Sequence, residues 1–264
     1  MAHRKVALVT GGGRGIGRAI ALRLSADGHA VAVASRSRDQ LDRVVQDIEA
    51  GGGEALALPC DVTRQEDVTR TVAAVRARWG EINVLVNNAG VTGPLGPIGV
   101  VDPQAWWAAQ AVHVLGSLLF MTAIVPRMAA SGGGRIINVC SLAGVIIASN
   151  FSSYAVAKST LIRLSEHVAA ERREHHIQVF PIQPGTILTD MARDTLTRPE
   201  AAQWAPHLIG LLQQITPEQS DRALAKLQDF VSDLARGRFD ALSGRYLDVD
   251  QDPAAQLAAV LAAR

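Results

Sequence analysis

Read for polarity alone, the chain alternates between short apolar runs and longer stretches in which apolar residues recur every three or four positions. The short runs, rich in Val, Ile and Leu, fall at Val6–Thr10, Ala30–Ser35, Ala55–Cys60, Asn83–Asn87, Arg135–Cys140, Gln178–Ile182 and Arg245–Val249. They predict strands. The helical spacing occupies Asp39–Glu49, Arg64–Trp79, Pro103–Ala130 and Ser152–Arg173, and Gly51 to Gly53 and Gly132 to Gly134 stop two of these helices. Strands that alternate with helices predict a parallel sheet, and near-continuous apolarity over Ile82–Val86 and Ile136–Val139 fits strands covered on both faces. The expected fold class is therefore α/β, a doubly wound, mostly parallel sheet forming a single domain. From about 190 to 237 the rhythm breaks into helix-like pieces carrying Trp204, Leu208, Ile209, Leu211 and Leu212. An insertion covering a cleft is expected there.

Composition narrows the function classes. The 264 residues suit one domain with a sizeable core, and 48% apolar residues with a net charge of +1 speak against disorder and against a surface built for polyanions. Nucleic acid is not an expected partner. The longest nearly apolar stretch, Val112–Pro126, is broken by His113, Gly116 and Ser117 and falls short of the 18 residues of a span, so no membrane is expected. Arg4 and Lys5 precede an apolar run of only four residues, too short for the core of a signal peptide. Cys60 and Cys140 each end a strand-like run and read as buried reduced thiols, which makes the cytoplasm the expected compartment. His175 and His176 match no metal-ligand spacing, and no metal site is expected.

Candidate chemistry gathers at the ends of the strands. The stretch Thr10-Gly11-Gly12-Gly13-Arg14-Gly15-Ile16-Gly17 follows the first apolar run and opens an amphipathic helix, so it reads as strand, glycine turn, helix. Free N–H groups and the positive end of a helix dipole at such a turn suit a pyrophosphate. Asp61, Asn87, Ser141 and Pro184-Gly185 all follow strands and fall at the same carboxyl edge, where open α/β sheets bind ligands. Tyr154 and Lys158 stand four apart on one helix face. A cation about 4 Å from a phenol lowers its pKa by roughly three units at an effective dielectric near 20, which makes the tyrosine a usable acid or base.

With the glycine turn, Asn87-Asn88-Ala89-Gly90, Ser141 thirteen residues before Tyr154, Tyr154-x-x-x-Lys158, and Pro184-Gly185-Thr186-Ile187-Leu188-Thr189, the chain resembles the short-chain dehydrogenase/reductase family from about Val6 to Met191. The resemblance implies a Rossmann fold and a hydride exchanged with a nicotinamide cofactor. It implies Tyr154 as proton donor or acceptor, Ser141 orienting the substrate oxygen, and Lys158 lowering the Tyr154 pKa and binding the ribose. It places Gly11, Arg14, Gly15, Ile16 and Gly17 around the pyrophosphate and adenosine, Asp61 and Val62 at the adenine, and Ala89 at the ribose edge. In Pro184–Thr189, which includes Gly185, Thr189 and the Ile187 backbone hold the carboxamide. Asn87 has two open roles, ligand contact or tying strand ends together by hydrogen bonds. Arg36, at the end of the second strand where an acid would mark NAD, points to NADP over NAD, with Arg14 placed to add a second positive charge.

The sequence departs from the family at His113, which stands where an asparagine usually supports a water relay. Two readings stay open for it, a catalytic group or a core histidine. The expected function is NADP(H)-dependent interconversion of a carbonyl and a secondary alcohol on a small or medium organic molecule, by a homodimer or homotetramer. The competing readings are a non-catalytic NADP-binding regulator or scaffold on the same fold, which an intact Ser141, Tyr154 and Lys158 oppose, and an epimerase or dehydratase, which needs a larger substrate domain.

Overall fold

The computed structural model describes residues 5–262; Arg4 of the leader reading lies outside them. Seven strands form one sheet in the order β3-β2-β1-β4-β5-β6-β7, all parallel. They are β1 (Val6–Thr10), β2 (Ala30–Ser35), β3 (Ala55–Pro59), β4 (Val84–Asn87), β5 (Gly134–Val139), β6 (Ile177–Gln183) and β7 (Leu247–Asp248). Each expected strand forms within a few residues of its apolar run. Successive side chains face opposite sides of the sheet. Ala7, Val9, Val31, Val33, Ile137 and Phe180 meet α1 (Gly15–Ala26) and α2 (Arg38–Ala50). Val6, Leu8, Ala32, Leu85, Ile136 and Val179 meet helices on the other face, among them α3 (Gln65–Trp79).

The expected helix over 103–130 is continuous but not uniform. It runs as α4 (Pro103–Gln110), one turn of π-helix at Ala111–Leu115 and α5 (Gly116–Ala130), followed later by α6 (Ser152–Glu171). At 28 residues the run is long and apolar enough, by length and composition, to cross a membrane, which corrects the shorter reading of Val112–Pro126. Average hydropathy tolerates the His, Gly and Ser that interrupt a strict apolar run. Half of the apolar window is buried, and Phe120, Met121, Ile124 and Met128 pack on the sheet.

The expected insertion of about 190–237 is also corrected. Only 190–216 forms an outlying cover, built from α7 (Asp190–Leu196), α8 (Pro199–Trp204) and α9 (Pro206–Gln213). The next helix, α10 (Pro217–Arg236), carries Leu224, Leu227, Phe230, Val231 and Leu234 at helical spacing and lays them into the core beside α1. Since α10 shares its face with α1 while β7 extends the sheet in the opposite sense to β2, the β6-to-β7 connection has the opposite hand to the other crossovers. A hydrogen bond from the Leu188 amide to Ser220 Oγ, 3.0 Å, closes the base of the cover. Beyond β7, α11 (Pro253–Ala262) rests Leu257 and Val260 on the same core.

One buried polar chain locks the catalytic helix to the sheet. Asn87 Nδ2 donates to Asn138 Oδ1 at 2.8 Å, Asn138 Nδ2 to Ser165 Oγ at 2.8 Å, and Ser165 Oγ to the Leu161 carbonyl at 2.6 Å. The two asparagines are register partners on β4 and β5, so the sheet presents the chain to α6 as a rigid unit. Asn138→Ala leaves the buried Asn87 Nδ2 without its acceptor and removes the donor to Ser165 Oγ, and is expected to lower the unfolding free energy by about 1–3 kcal/mol in urea titration with the m-value unchanged.

Candidate active site

At the carboxyl ends of β1, β2, β4 and β5 the sheet opens into a cleft of about 430 Å³. One end is the glycine turn. Gly15 holds φ +53°, a left-handed conformation that lets the chain turn sharply into α1, and a Cβ on Gly17 would stand 2.2 Å from the Gly11 carbonyl oxygen. Arg14, the N-cap of α1, makes no capping hydrogen bond with its side chain, so no side chain from the cap competes for the N–H groups of the first turn. Thr10 anchors the turn: its hydroxyl oxygen accepts from the Asn88 and Ala89 amides at 3.0 and 3.1 Å, and Asn88 Nδ2 donates back to the Thr10 carbonyl at 3.0 Å.

The cleft gathers most of the residues singled out in the sequence. Gly11, Arg14, Gly15, Ile16, Arg36, Asp61, Val62, Ala89, His113, Tyr154, Lys158, Pro184 and Thr189 all line it. Gly17 packs behind it against Gly11, Gly185 lies beside Val249, and Ile187 lines a neighbouring hollow with Gly15 and Thr189. Asn87 takes the structural role described above, and its neighbour Asn88 lines the cleft in its place. Period-two alternation in Asn87-Asn88 was the signal for this, since only one of two adjacent strand residues faces a given side. Arg14, which lines the cleft, also reaches Asp190 at 3.5 Å and Asp194 at 3.8 Å on α7, in half-exposed pairs.

Ser141 lies two residues beyond β5 and caps a 3-10 turn, its Oγ accepting from the Ala143 amide at 3.2 Å. The Ser141 hydroxyl near Tyr154 acts to lower the phenol pKa. Burial acts the other way and prevails, pushing Tyr154 up to about 12. This reverses the shift expected from Lys158. The Lys158 ammonium donates to the Val139 carbonyl at 2.6 Å and stands 5.4 Å over the Tyr154 ring, so it meets the ring face. Burial lowers Lys158 itself to about 8. Cys140, also buried beside this pair, is pushed up to about 12 and stays a neutral thiol. Phe151, which sequence reasoning missed, stacks on Tyr154 with centroids 4.7 Å apart and planes at 4°.

His113 sits on the π-helical turn, 1% exposed and edge-on to the Tyr154 ring at 5.4 Å. Its Nε2 lies 2.8 Å from the Val91 carbonyl and 3.2 Å from the Val91 amide, and Nδ1 has no partner. One nitrogen cannot donate to the first and accept from the second in the same tautomer. Burial, helped by the Lys158 charge, lowers its pKa to about 3.

The short chain dehydrogenase family model matches residues 5–200. The chain belongs to the short-chain dehydrogenase/reductase family. It is 36% identical over 189 residues to dehydrogenase/reductase SDR family member 4 of Bos taurus, covering 72% of this chain and 68% of that one. It is 31% identical to the cyclohexanol dehydrogenase of Acinetobacter sp. (strain SE19), covering 92% and 95%. Among solved structures, 7 alpha-hydroxysteroid dehydrogenase complexed with NADH and 7-oxo glycochenodeoxycholic acid superposes with a TM-score of 0.80 at 30% identity, covering 92% of each chain. As a short-chain dehydrogenase/reductase the protein is an oxidoreductase acting on alcohol or carbonyl groups, and its cleft fits a nicotinamide dinucleotide. The N–H groups of the glycine turn suit the pyrophosphate and Arg36 stands at one end, with Tyr154 and Lys158 at the other.

The His113 geometry carries a stability consequence. The unfolded chain takes up a proton as pH falls below 6.5, whereas folded His113 does not until about pH 3, so stability is lost across that window. His113→Asn removes this loss. Between pH 7 and 4.5 the variant is expected to lose about 2–3 kcal/mol less unfolding free energy than the parent, measured by urea titration at both values.

Proposed function

We propose that the protein interconverts a ketone or aldehyde and the corresponding alcohol with NADP(H), and that the pairing of Tyr154 with Ser141 above a buried Lys158 carries the reaction. A bound nicotinamide dinucleotide supplies or accepts the hydride. In the reducing direction the neutral Tyr154 hydroxyl donates its proton to the carbonyl oxygen as charge builds there, and in the oxidising direction the phenolate takes that proton back. A phenol pushed up by burial remains a donor across the neutral range, and the positive Lys158 beneath the ring favours the phenolate once the proton has left. Ser141 holds the substrate oxygen within reach of the tyrosine. His113 keeps the Val91 backbone in place beside the ring.

Arg36 supports NADP(H) over NAD(H). It lines the cleft beyond β2 with Ser35, Ser37 and Gln40, and the residue that directly follows this strand is a cation, where a carboxylate would bind a ribose hydroxyl pair and repel a phosphate. Arg14 lines the same cleft and adds a second cation, shared with Asp190 and Asp194 on α7. NADH in the hydroxysteroid dehydrogenase makes the choice one for this chain's own residues to decide. The reading extends to a homodimer or homotetramer, supported by Trp107, Leu115, Leu118 and Val156 exposed on α4 to α6.

Following absorbance of the reduced cofactor against a panel of ketones and alcohols tests the reading. Tyr154→Phe is expected to lose about 10²- to 10⁴-fold in kcat with cofactor affinity unchanged, and retention of more than a tenth of the activity refutes the assigned role. Arg36→Asp is expected to reverse the cofactor preference in kcat/KM. Equal efficiency of the unmodified protein with NADH and NADPH removes the NADP(H) assignment.

A further inference from the structure

Two loops frame the catalytic tyrosine, and neither contains an ionisable side chain. Residues 91–101 read Val-Thr-Gly-Pro-Leu-Gly-Pro-Ile-Gly-Val-Val and 142–151 read Leu-Ala-Gly-Val-Ile-Ile-Ala-Ser-Asn-Phe. Both are fixed against the site. Val91 lines the cleft, the Gly96 amide donates to the Asn150 carbonyl at 2.8 Å, Phe151 stacks on Tyr154, and Ser159 Oγ donates to the Gly144 carbonyl at 2.6 Å.

Two of the loops' three polar side chains are turned away to fasten the cover. Thr92 Oγ1 pairs with Thr195 Oγ1 at 2.9 Å, and Asn150 Nδ2 donates to the Trp204 carbonyl at 2.8 Å. The cation that reaches this region from the cover, Arg198, is held by Glu200 at 2.6 Å and donates to the Gly93 carbonyl at 2.8 Å. Beneath, Phe151 packs with Leu95, Ala201, Ala205, Leu208 and Ile209. Above, the loop that follows Ser141 leaves Val145, Ile146 and Ile147 in water, Ile147 at 93% exposure, and Ile98 rises from the opposite loop.

We infer that the part of the substrate that does not react is apolar and uncharged, and that it lies across the exposed apolar side chains of the 142–151 and 91–101 loops. This rests on the carbonyl and alcohol reading above and names the substrate class of the same site. A substrate carboxylate, phosphate or polyol placed there would lose water and meet no donor in exchange, whereas an alkyl or alicyclic body would cover isoleucines that are otherwise wet. Continuity with Ser141 and Tyr154 is what assigns this patch to substrate rather than to another macromolecule.

The test is a ketone series with NADPH: 2-butanone, 2-hexanone, 2-octanone, and 7-oxooctanoate, which carries a carboxylate at the end of the same chain. Each added methylene is expected to raise kcat/KM about fourfold, the effect of one buried methylene, until the wall is filled. 7-Oxooctanoate is expected to fall at least thirtyfold below 2-octanone. Ile146→Asp and Ile147→Asp, at exposed positions, are expected to raise KM for 2-octanone at least tenfold and to leave NADPH affinity, read by fluorescence, unchanged. A carboxylate tolerated within threefold, or a flat methylene series, overturns the inference while leaving the oxidoreductase reading intact. Unchanged KM in both isoleucine variants together with a lower sedimentation coefficient assigns the patch to contact between copies and likewise overturns it. No turnover of any ketone with either reduced cofactor refutes the reading on which it rests.

Discussion

An ammonium taken out of water must find its stabilisation nearby, and Lys158 sets that condition for the whole active edge of this protein. It is 4% exposed, donates to the Val139 carbonyl and faces the Tyr154 ring. Meeting the condition requires β5 to end at a fixed height and α6 to cross it at a fixed angle. The Asn87-Asn138-Ser165 chain sets both, because it joins two strands to the middle of α6 by two short hydrogen bonds. The same burial depresses Lys158 and His113 and raises Tyr154, so a single desolvated pocket accounts for three shifts of different sign.

The order of elements was legible because parallel strands covered on both faces write their burial into short unbroken apolar runs. Strand existence followed from Val, Ile and Leu alone, and the ends moved by a residue or two where Cys60 and Cys140 leave the ladder while staying buried. What escaped was the side of the sheet each late helix would choose. Leu224 through Leu234 carry as clear a helical stripe as α3, yet the outlying helices that precede them blurred where the cover ends and the core resumes. The π-turn at Ala111–Leu115 had no sequence signal, since one extra residue per turn leaves composition untouched.

At the site, backbone-defined features read well and side-chain directions did not. Glycines, Ser141 and the Tyr154–Lys158 spacing mark places where the chain itself must turn or where two groups share a helix face. The family membership follows from those marks. Arg14 and Asn88 show the limit: the first, in the cleft, also reaches carboxylates on α7, 176 and 180 positions further along the chain, and the second lines the cleft one residue beyond the end of β4. Opposed effects are equally hidden. Spacing told that Lys158 was close to Tyr154, but only the packed surroundings reveal that lost hydration sets the direction of the phenol's shift.

The cover formed by α7 to α9 enters and leaves the body of the molecule at nearly one point, where the Leu188 amide meets Ser220. A closed excursion of this kind is thermodynamically cheap to redraw, since doubling the length of a flexible loop adds only about 0.6 kcal/mol of closure entropy. Descendants of this chain are thus free to lengthen, shorten or replace the residues between those two positions while β6, α10 and β7 keep their places. The fold carries its own site of evolutionary innovation, closed at its base by Ser220 and fastened over the site through Thr195, Arg198 and Trp204.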